Sequence, residues 1–459
     1  MVTFCTMSGT LMTSVSGVRG LVGTDLTPEV VARYAAAFGR IVGAEGGGSV
    51  VLARDARTSG RMFAASARAG LQSVGLDVID CGLVPTPTAQ LAVEHHHAAG
   101  GIIITASHNP IEWNALKFVG PDGLFLDGET AARLLALAGD GAAVPRVGWD
   151  RIGGDARDDA AVDRHLDALL RLPVVDAAQI RARGLTVALD CVRGAGGTVM
   201  PLLLGRLGCT VHAMDVETDG RFPRPPEPLP QNLQGLGQLV RRTAADIGIA
   251  VDPDVDRLAV VDQRGEPIGE DYTLAFAVRA VLARGAGAVV VNLSTSLVVD
   301  DAARAFGVDV ARAPVGEANV ARAMREAGAV VGGEGNGGVI LPALHYGRDA
   351  PLAAALVLGL LADAGATVSD LVADQPRYAI VKDKVPRGAD MAALYAALER
   401  NFPDATVDRQ DGLRLAWPDR WLHVRPSGTE PIVRLIAEAR TATEARELIA
   451  AVRTLLALA

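Results

Sequence analysis

The chain is poor in aromatic residues: only 4% of its 459 positions are Phe, Trp or Tyr. That leaves little surface on which nucleic-acid bases could stack. Nor is there an excess of positive charge. The 44 Lys and Arg are outnumbered by 53 Asp and Glu, a formal net charge of -9 with both signs interspersed. With no basic patch or tail, no nucleic-acid partner is expected. Cysteine is scarce too. Cys5, Cys81, Cys191 and Cys209 lie far apart with no CxxC spacing. Neither a zinc cluster nor a disulfide framework is expected, and free thiols in a reducing cytoplasm are. No apolar run reaches the ~18 residues of a membrane helix. The N-terminal "MVTFCTMSGTLMTSVSGVRG" has no basic n-region, and Ser and Thr interrupt its apolar positions, so it does not read as a signal peptide. Its first eleven residues read as a disordered extension ahead of Met12, an alternative start. A cytoplasmic protein without membrane contact is the expectation.

What is present is a globular composition, 49% hydrophobic and 21% charged, in a length suited to about three or four domains. One pattern recurs three times: an apolar strand, a small-residue loop, an Ala/Leu-rich helix, then Gly-x-x-Val and a second strand. The copies are "VVLARDARTSGRMFAASARAGLQSVGLDVID", "LTVALDCVRGAGGTVMPLLLGRLGCTVHAMD" and "AVVVNLSTSLVVDDAARAFGVDVARAPV". Gly75, Gly208 and Gly307 would each end a helix in a left-handed cap, and Val78, Val211 and Val310 would restart the sheet. Such units are βαβ crossovers, so three related α/β/α domains are predicted. "AGDGAAVPRVGWDRIGGDARDDA" and the proline-dense "RFPRPPEPLPQNLQ" read as joints. The last eighty or so residues change character: a hairpin with Pro418–Asp419 at its turn, another strand, and a closing helix with Thr441 and Glu444 at capping-box spacing. The expected units are 1–150, 151–250, 251–368 and an α+β tail at 369–459.

Five polar loops stand out. In "GIIITASHNP" an apolar strand ends at Ser107, where open α/β sheets place ligands. A serine needs activation to act as a nucleophile, and His108 and Lys117 are near in sequence. Taken alone, Ser107 reads more readily as a helix-capping turn. In "GIAVDPDVDRLAVVD" the residues Asp252, Asp254 and Asp256 alternate, which in an extended segment puts three carboxylates on one side. Their mutual repulsion calls for a cation, and hard oxygen ligands suit Mg²⁺ or Ca²⁺. Arg257 follows where an anion bridging to that cation could meet it. In "HVRPSGTEPIVRL" the set Arg425, Ser427, Gly428 and Thr429 forms a phosphate cradle, a nest with a bidentate arginine. In "VVGGEGNGGVILPALHYGRDA" Glu334 and Asn336 stand among five glycines, suited to vicinal hydroxyls, with Arg348 and Asp349 after a second turn. Arg19, Arg54 and Arg57 lie near turns in the first domain and read individually as solvated surface arginines. One ligand touching all these loops would lie in a central cleft, and a phosphorylated sugar fits the set.

In this order and spacing, "TASHNP", "DPDVDR", "GEGNGG" and "RPSGTEP", together with "GLVPTPT" and "EPLPQNL", resemble the α-D-phosphohexomutase family over nearly the whole chain. The resemblance implies four domains in a heart shape around a central cleft, the last TATA-binding-protein-like. It implies that Ser107 carries a phosphoryl group, with His108, Lys117 and Arg19 around it. Mg²⁺ would be held by Ser107, Asp252, Asp254 and Asp256. Glu334 and Asn336 would grip sugar hydroxyls, and Arg257 with Arg425, Ser427, Gly428 and Thr429 would bind substrate phosphate. The implied reaction moves a phosphoryl group between O6 and O1 of a hexose phosphate through a 1,6-bisphosphate, which also serves as activator. The sugar loop ends Asn336-Gly337-Gly338 where many bacterial members have Ser-Gly-His, and "IEWNALKF" replaces their Asp-Asn-Gly. Both forms resemble an archaeal-type phosphoglucosamine mutase branch, so glucosamine 6-phosphate is the expected substrate, with phosphomannomutase/phosphoglucomutase activity as the alternative. Glu317 is the acidic candidate for a general base. Two rivals remain: a phosphatase using Asp as nucleophile, which would leave Ser107 idle, and a non-catalytic sugar-phosphate-binding protein. The molecule is expected to be a monomer or homodimer.

Overall fold

The computed structural model describes residues 11–14, 17–43, 48–139, 144–386, 388, 390–427 and 432–458. Residues 1–10 of the expected extension, with Cys5, and two cradle residues, Gly428 and Thr429, lie outside the described residues.

Four sheets follow one another along the chain. The first holds β1 (Met12–Ser14), β2 (Gly17–Leu21), β3 (Ser49–Arg54), β4 (Asp77–Leu83), β5 (Gly100–Ile104), β6 (Trp113–Val119) and β7 (Asp155–Arg157), in the order β1-β2-β6-β5-β3-β4-β7. The second holds β8 (Thr186–Asp190), β9 (Thr210–Met214), β10 (Ile247–Val251) and β11 (Leu258–Val261), in the order β11-β10-β8-β9. The third holds β12 (Val289–Asn292), β13 (Val310–Ala313), β14 (Val331–Glu334) and β15 (Gly338–Ile340), in the order β13-β12-β14-β15. The fourth, of β16 (Ala379–Pro386), β17 (Thr406–Asp408), β18 (Leu413–Ala416), β19 (Trp421–Pro426) and β20 (Ile432–Ala439), is antiparallel in the order β16-β20-β19-β18-β17.

Each of the three repeats is a crossover between parallel neighbours: β3 with β4, β8 with β9, β12 with β13. Gly75, Gly208 and Gly307 take φ of 89°, 72° and 71° after their helices, as the repeat requires. In the tail, Pro418–Asp419 lies in the turn between β18 and β19, and Thr441 and Glu444 close their box: the Thr441 amide donates to Glu444 (3.0 Å) and the Glu444 amide to Thr441 Oγ1 (3.3 Å). Among the described residues, no helix is long and apolar enough to cross a membrane.

The sheets do not keep the expected borders. β7 still pairs with β4, so the first unit runs beyond residue 150. A border at 250/251 would cut β10, whose pairing with β8 and β11 keeps residues 247–261 in the second sheet. Residue 368 opens the helix Val368–Ala373 rather than closing a unit, and the tail sheet starts at Ala379. The aspartate loop therefore hangs from the second sheet, and only the glycine-rich loop from the third.

Candidate active site

β5 is buried along its whole length, and the chain leaves it through Thr105 and Ala106 to Ser107. Ser107 takes a positive φ of 47° and is only 4% exposed. Its amide donates to Thr105 Oγ1 (2.9 Å) and its hydroxyl to Asp252 (2.9 Å), with His108 Nδ1 at 3.3 Å. Arg57 fixes this turn from beneath. Its guanidinium donates to the carbonyls of Ser107 (2.6 Å), Asn109 (2.7 Å), Pro110 (2.7 Å) and Trp113 (3.0 Å), and Asp55 pairs with its Nε at 3.1 Å. The reading of Arg57 as a solvated arginine is thus overturned: it is buried, and its guanidinium is spent on four backbone carbonyls between Ser107 and Trp113. Arg19, on β2, donates to Asn109 of the same loop.

The three aspartates converge, but not by strand alternation. Val251 pairs with Leu258, so residues 252–257 form a hairpin loop, and Val255 at φ 64° turns it back on itself. The result is a set of carboxylate oxygens within 4.8 Å of one another, all buried. Oδ1 of Asp254 and Oδ1 of Asp256 have no hydrogen-bond partner. Two orphaned anionic oxygens in a hard-oxygen set are the donors a divalent cation takes up, so the residues fit one. Lys117, on β6, reaches the cluster, its Nζ at 2.7 Å from Asp254 and 3.5 Å from Asp256. Burial opposes charge on Asp254, but Lys117 outweighs it and holds this carboxyl below its ordinary range; burial and its two neighbours push Asp252 well above it. Asp254 and Asp256, against the cost of burial, hold the Lys117 ammonium above its ordinary value and so keep it charged. Burial together with Arg257 and Arg19 holds the His108 imidazole well below its ordinary value, which makes it neutral.

The glycine-rich loop meets this loop directly. Glu334 ends β14 opposite Gly338, and Gly337, at φ 87°, lets its carbonyl accept from the Leu258 amide (3.0 Å); a Cβ there would lie 2.3 Å from the Leu258 carbonyl oxygen. Glu334 accepts from Asn292 (2.9 Å), the Gly316 amide (3.0 Å), Asn336 (3.4 Å) and Arg348 (2.6 Å). Arg348 also pairs with Asp256 and, at 3.1 Å, with Glu317. One buried guanidinium therefore ties the aspartate loop, the glycine-rich loop and the start of the helix Glu317–Ala327. These contacts hold Glu334 ionised despite its burial, whereas burial leaves Glu317 above its ordinary value even beside Arg348. Arg257 is held by Glu227 of the "EPLPQNL" segment at 3.1 Å.

From the fourth sheet, Arg425 on β19 pairs with Asp411 at 2.9 Å, and the buried Ser427 amide donates to the Ile432 carbonyl (2.8 Å). A single cleft of about 540 Å³ is walled by Arg19, Ser107, His108 and Lys117 of the first unit, Arg257 of the second, Glu317, Glu334 and Asn336 of the third, and Arg425 and Ser427 of the fourth. The described candidates thus come together on one cavity, with the three aspartates behind Ser107. Sequence reasoning did not find Asn292, Glu227 or Asp411 as orienting partners, nor Lys382 and Arg434, which add cations to the fourth-unit wall. Their signals are single polar residues in apolar strands or loops, weak without the fold.

Comparison with known proteins agrees with this assembly. Residues 11–142, 163–265, 269–378 and 379–455 match the alpha/beta/alpha domains I, II and III and the C-terminal domain of phosphoglucomutase/phosphomannomutase. A Methanopyrus kandleri protein named "Probable phosphoglucosamine mutase" is 38% identical, over 94% of this chain and 95% of its own. A Thermococcus kodakarensis protein named "Phosphoglucomutase/phosphomannomutase" is also 38% identical, with the same shares covered, 94% and 95%. The crystal structure of a phosphoglucomutase/phosphomannomutase family protein from Burkholderia thailandensis superposes with a TM-score of 0.85 at 29% identity, covering 99% of this chain and 98% of that one. With all four domain types matched in order along the chain, this protein belongs to the phosphoglucomutase/phosphomannomutase family.

Proposed function

We propose that this enzyme is a phosphohexomutase that converts glucosamine 6-phosphate to glucosamine 1-phosphate, with Ser107 as the residue that carries the phosphoryl group. The observation that carries the reading is the cleft itself: a strand-end serine, a hydroxyl-binding carboxylate and an arginine–serine phosphate site, drawn from three sheets, face one cavity of hexose-bisphosphate size. The phosphoryl group passes from Ser107 Oγ to the free hydroxyl of the bound hexose phosphate. The P–O bond to serine breaks as the P–O bond to sugar forms, and Glu317, which lines the cleft and whose carboxyl is held above its ordinary value, takes the hydroxyl proton in this reading. The resulting 1,6-bisphosphate turns over in the cleft, and Ser107 recovers the other phosphate.

Asp252, Asp254 and Asp256, with Ser107 beside them, would hold Mg²⁺, which supplies positive charge next to phosphoryl oxygens. The remaining work falls to the chain. Lys117 keeps a cation at the same place, and neutral His108 can donate without adding charge. Arg425, Ser427 and the adjoining Gly428 and Thr429 bind the phosphate that is not reacting, while Arg257 lines the path between the two ends. Glu334 stays ionised and can accept from sugar hydroxyls or, with charge assistance, from a 2-ammonium group. Two orientations of one bisphosphate must fit, which favours contacts common to several hexoses. Phosphomannomutase/phosphoglucomutase activity is therefore the second reading, favoured by the Thermococcus kodakarensis relative of that name.

The test is kcat/KM for glucosamine, glucose and mannose 6-phosphates with matched Mg²⁺ and an activating hexose 1,6-bisphosphate. Preference for the glucosamine compound is expected. Turnover of mannose or glucose phosphate with glucosamine phosphate hardly used would replace the substrate and leave the mutase mechanism standing. Net release of inorganic phosphate would replace the mechanism.

A further inference from the structure

A second cavity, of about 380 Å³, lies in the first unit, and none of the residues lining it borders the central cleft. It opens between the C-terminal ends of β3 and β4 and the helix Gly60–Gln72, and four arginines line it: Arg54, Arg61, Arg68 and Arg157. Two of them are already compensated. Arg68 pairs with Asp80 and, at 3.2 Å, with Asp155, while Arg157 pairs with Asp159 at 2.7 Å and lies 3.6 Å from Asp80.

Arg54 and Arg61 are not. Arg54 donates only to the carbonyl of the next residue, Asp55 (3.0 Å), and Arg61 makes no hydrogen bond or ion pair among the described residues. Both stand at the wrong end of a helix. The aliphatic part of Arg54 lies across Gly60, 3.3 Å from where a Cβ would sit, and Arg61 is the second residue of the helix. The N-terminus of a helix is its positive end and favours anions. This one has no acidic residue in its first turn, and the Ser59 side chain does not cap it, accepting instead from Asn114 (2.9 Å). Burial and the neighbouring charge of Arg61 weaken the hold of Arg54 on its proton, outweighing the nearby carboxylates of Asp55 and Asp80. Two guanidinium groups with no carboxylate hydrogen bond or ion pair among the described residues line one cavity at strand ends, where open α/β sheets bind ligands.

From this geometry we infer a second anion site, separate from the catalytic cleft, that takes a small phosphate monoester between Arg54 and Arg61. The planar donor fork of arginine matches phosphate, and the cavity volume is that of a small-metabolite site rather than a macromolecular surface. The wall of Arg68 and Arg157 with their aspartates bounds the ligand: its body sits against donors and acceptors, its phosphate against uncompensated cations.

The inference does not depend on the chemistry of the cleft, and its test keeps the two apart. Inorganic phosphate is titrated into the full chain by calorimetry at constant ionic strength set with NaCl, with succinate as a dicarboxylate control. Arg61→Glu, an exposed change, and the double variant Arg54→Ala/Arg61→Ala are compared with wild type and with Arg425→Ala. Both first-unit variants should lose one bound phosphate per chain, its affinity weakened roughly tenfold or more. They should keep the wild-type Tm in chloride and the wild-type kcat/KM for hexose phosphate. Arg425→Ala should retain that phosphate. If the Arg61→Glu variant binds as many phosphates as wild type with the same affinity, the site does not exist. If succinate displaces phosphate from it at equal concentration, the ligand class is wrong.

Discussion

Replacing Arg348 with methionine removes the guanidinium shared by Asp256, Glu317 and Glu334 while keeping an unbranched side chain of similar length. Arg348 is 8% exposed at its side chain, and its partners are 0%, 6% and 5% exposed, so the charges left behind cannot be solvated in place. Breaking a buried ion pair by removing one partner costs about 3–5 kcal/mol. The cost is not threefold here, because each carboxylate keeps other partners: Glu334 has Asn292 and the Gly316 amide, Glu317 has Gln90 at 3.3 Å, and Asp256 has Lys117 at 3.5 Å. In a unit of this size such a loss lowers Tm by about 10 °C. The pH dependence gives the sharper test. Glu317 already binds its proton more readily in the folded protein than its ordinary value of 4.5 implies, and losing Arg348 raises that tendency. The folded state then holds more protons than the unfolded chain above pH 4.5. Stability is therefore lost as pH rises through that window, and the deficit of the Arg348→Met variant should be larger at pH 8 than at pH 5. Adding Glu317→Gln removes the buried charge. It should flatten this dependence and return a coupling energy of about 0.5–3 kcal/mol in a double-mutant cycle. Thermal unfolding of the four proteins at the two pH values measures all of this. An Arg348→Met deficit that is equal at both pH values and untouched by Glu317→Gln would refute the reasoning.

Asp254→Asn leaves the aspartate loop one charge short, with Oδ1 of Asp256 still orphaned. Chelation should abolish turnover of the wild type, and Mg²⁺ should restore it there but not in the variant; full activity in metal-free buffer would refute the metal reading. Arg425→Ala takes away charge-assisted hydrogen bonds worth about 1.5–3 kcal/mol each, so KM for hexose phosphate should rise roughly ten- to a hundredfold while Ser107 can still be phosphorylated. An unchanged KM would mean that Arg425, held by Asp411, never turns to substrate.

The parts legible in the sequence were those whose signal is local. Ser107 at the end of an apolar strand, three aspartates between two apolar strands, Glu334 among glycines, and Arg425 before Ser427 each lie within one short stretch. The three crossovers were legible because each places strand, helix, glycine and strand within about thirty residues. What the sequence hid depends on contacts between distant residues. Arg57 clamps carbonyls 50–56 positions away, and Arg348 meets Asp256 across 92 positions, so neither is distinguishable from a surface arginine before the chain is folded. The aspartates were found for a partly mistaken reason. An extended segment was expected, but β10 and β11 are one hairpin, and its turn at Val255 brings the carboxylates together. The same hairpin explains the misplaced border at residue 250: a strand that returns antiparallel to its own sheet looks, in sequence, like the start of the next unit. That Arg54 and Arg61 lack ion pairs of their own was likewise invisible, since it depends on which carboxylates their neighbours have already taken.

The central claim is that Ser107 carries the phosphoryl group. Incubating the full chain with Mg²⁺ and a hexose 1,6-bisphosphate, followed by peptide mass spectrometry, locates that group directly. One phosphate on Ser107, absent from a Ser107→Ala variant that folds normally and turns over almost no hexose phosphate, is the predicted result. Phosphate mapped to another residue, or wild-type turnover by the Ser107→Ala variant, would contradict it.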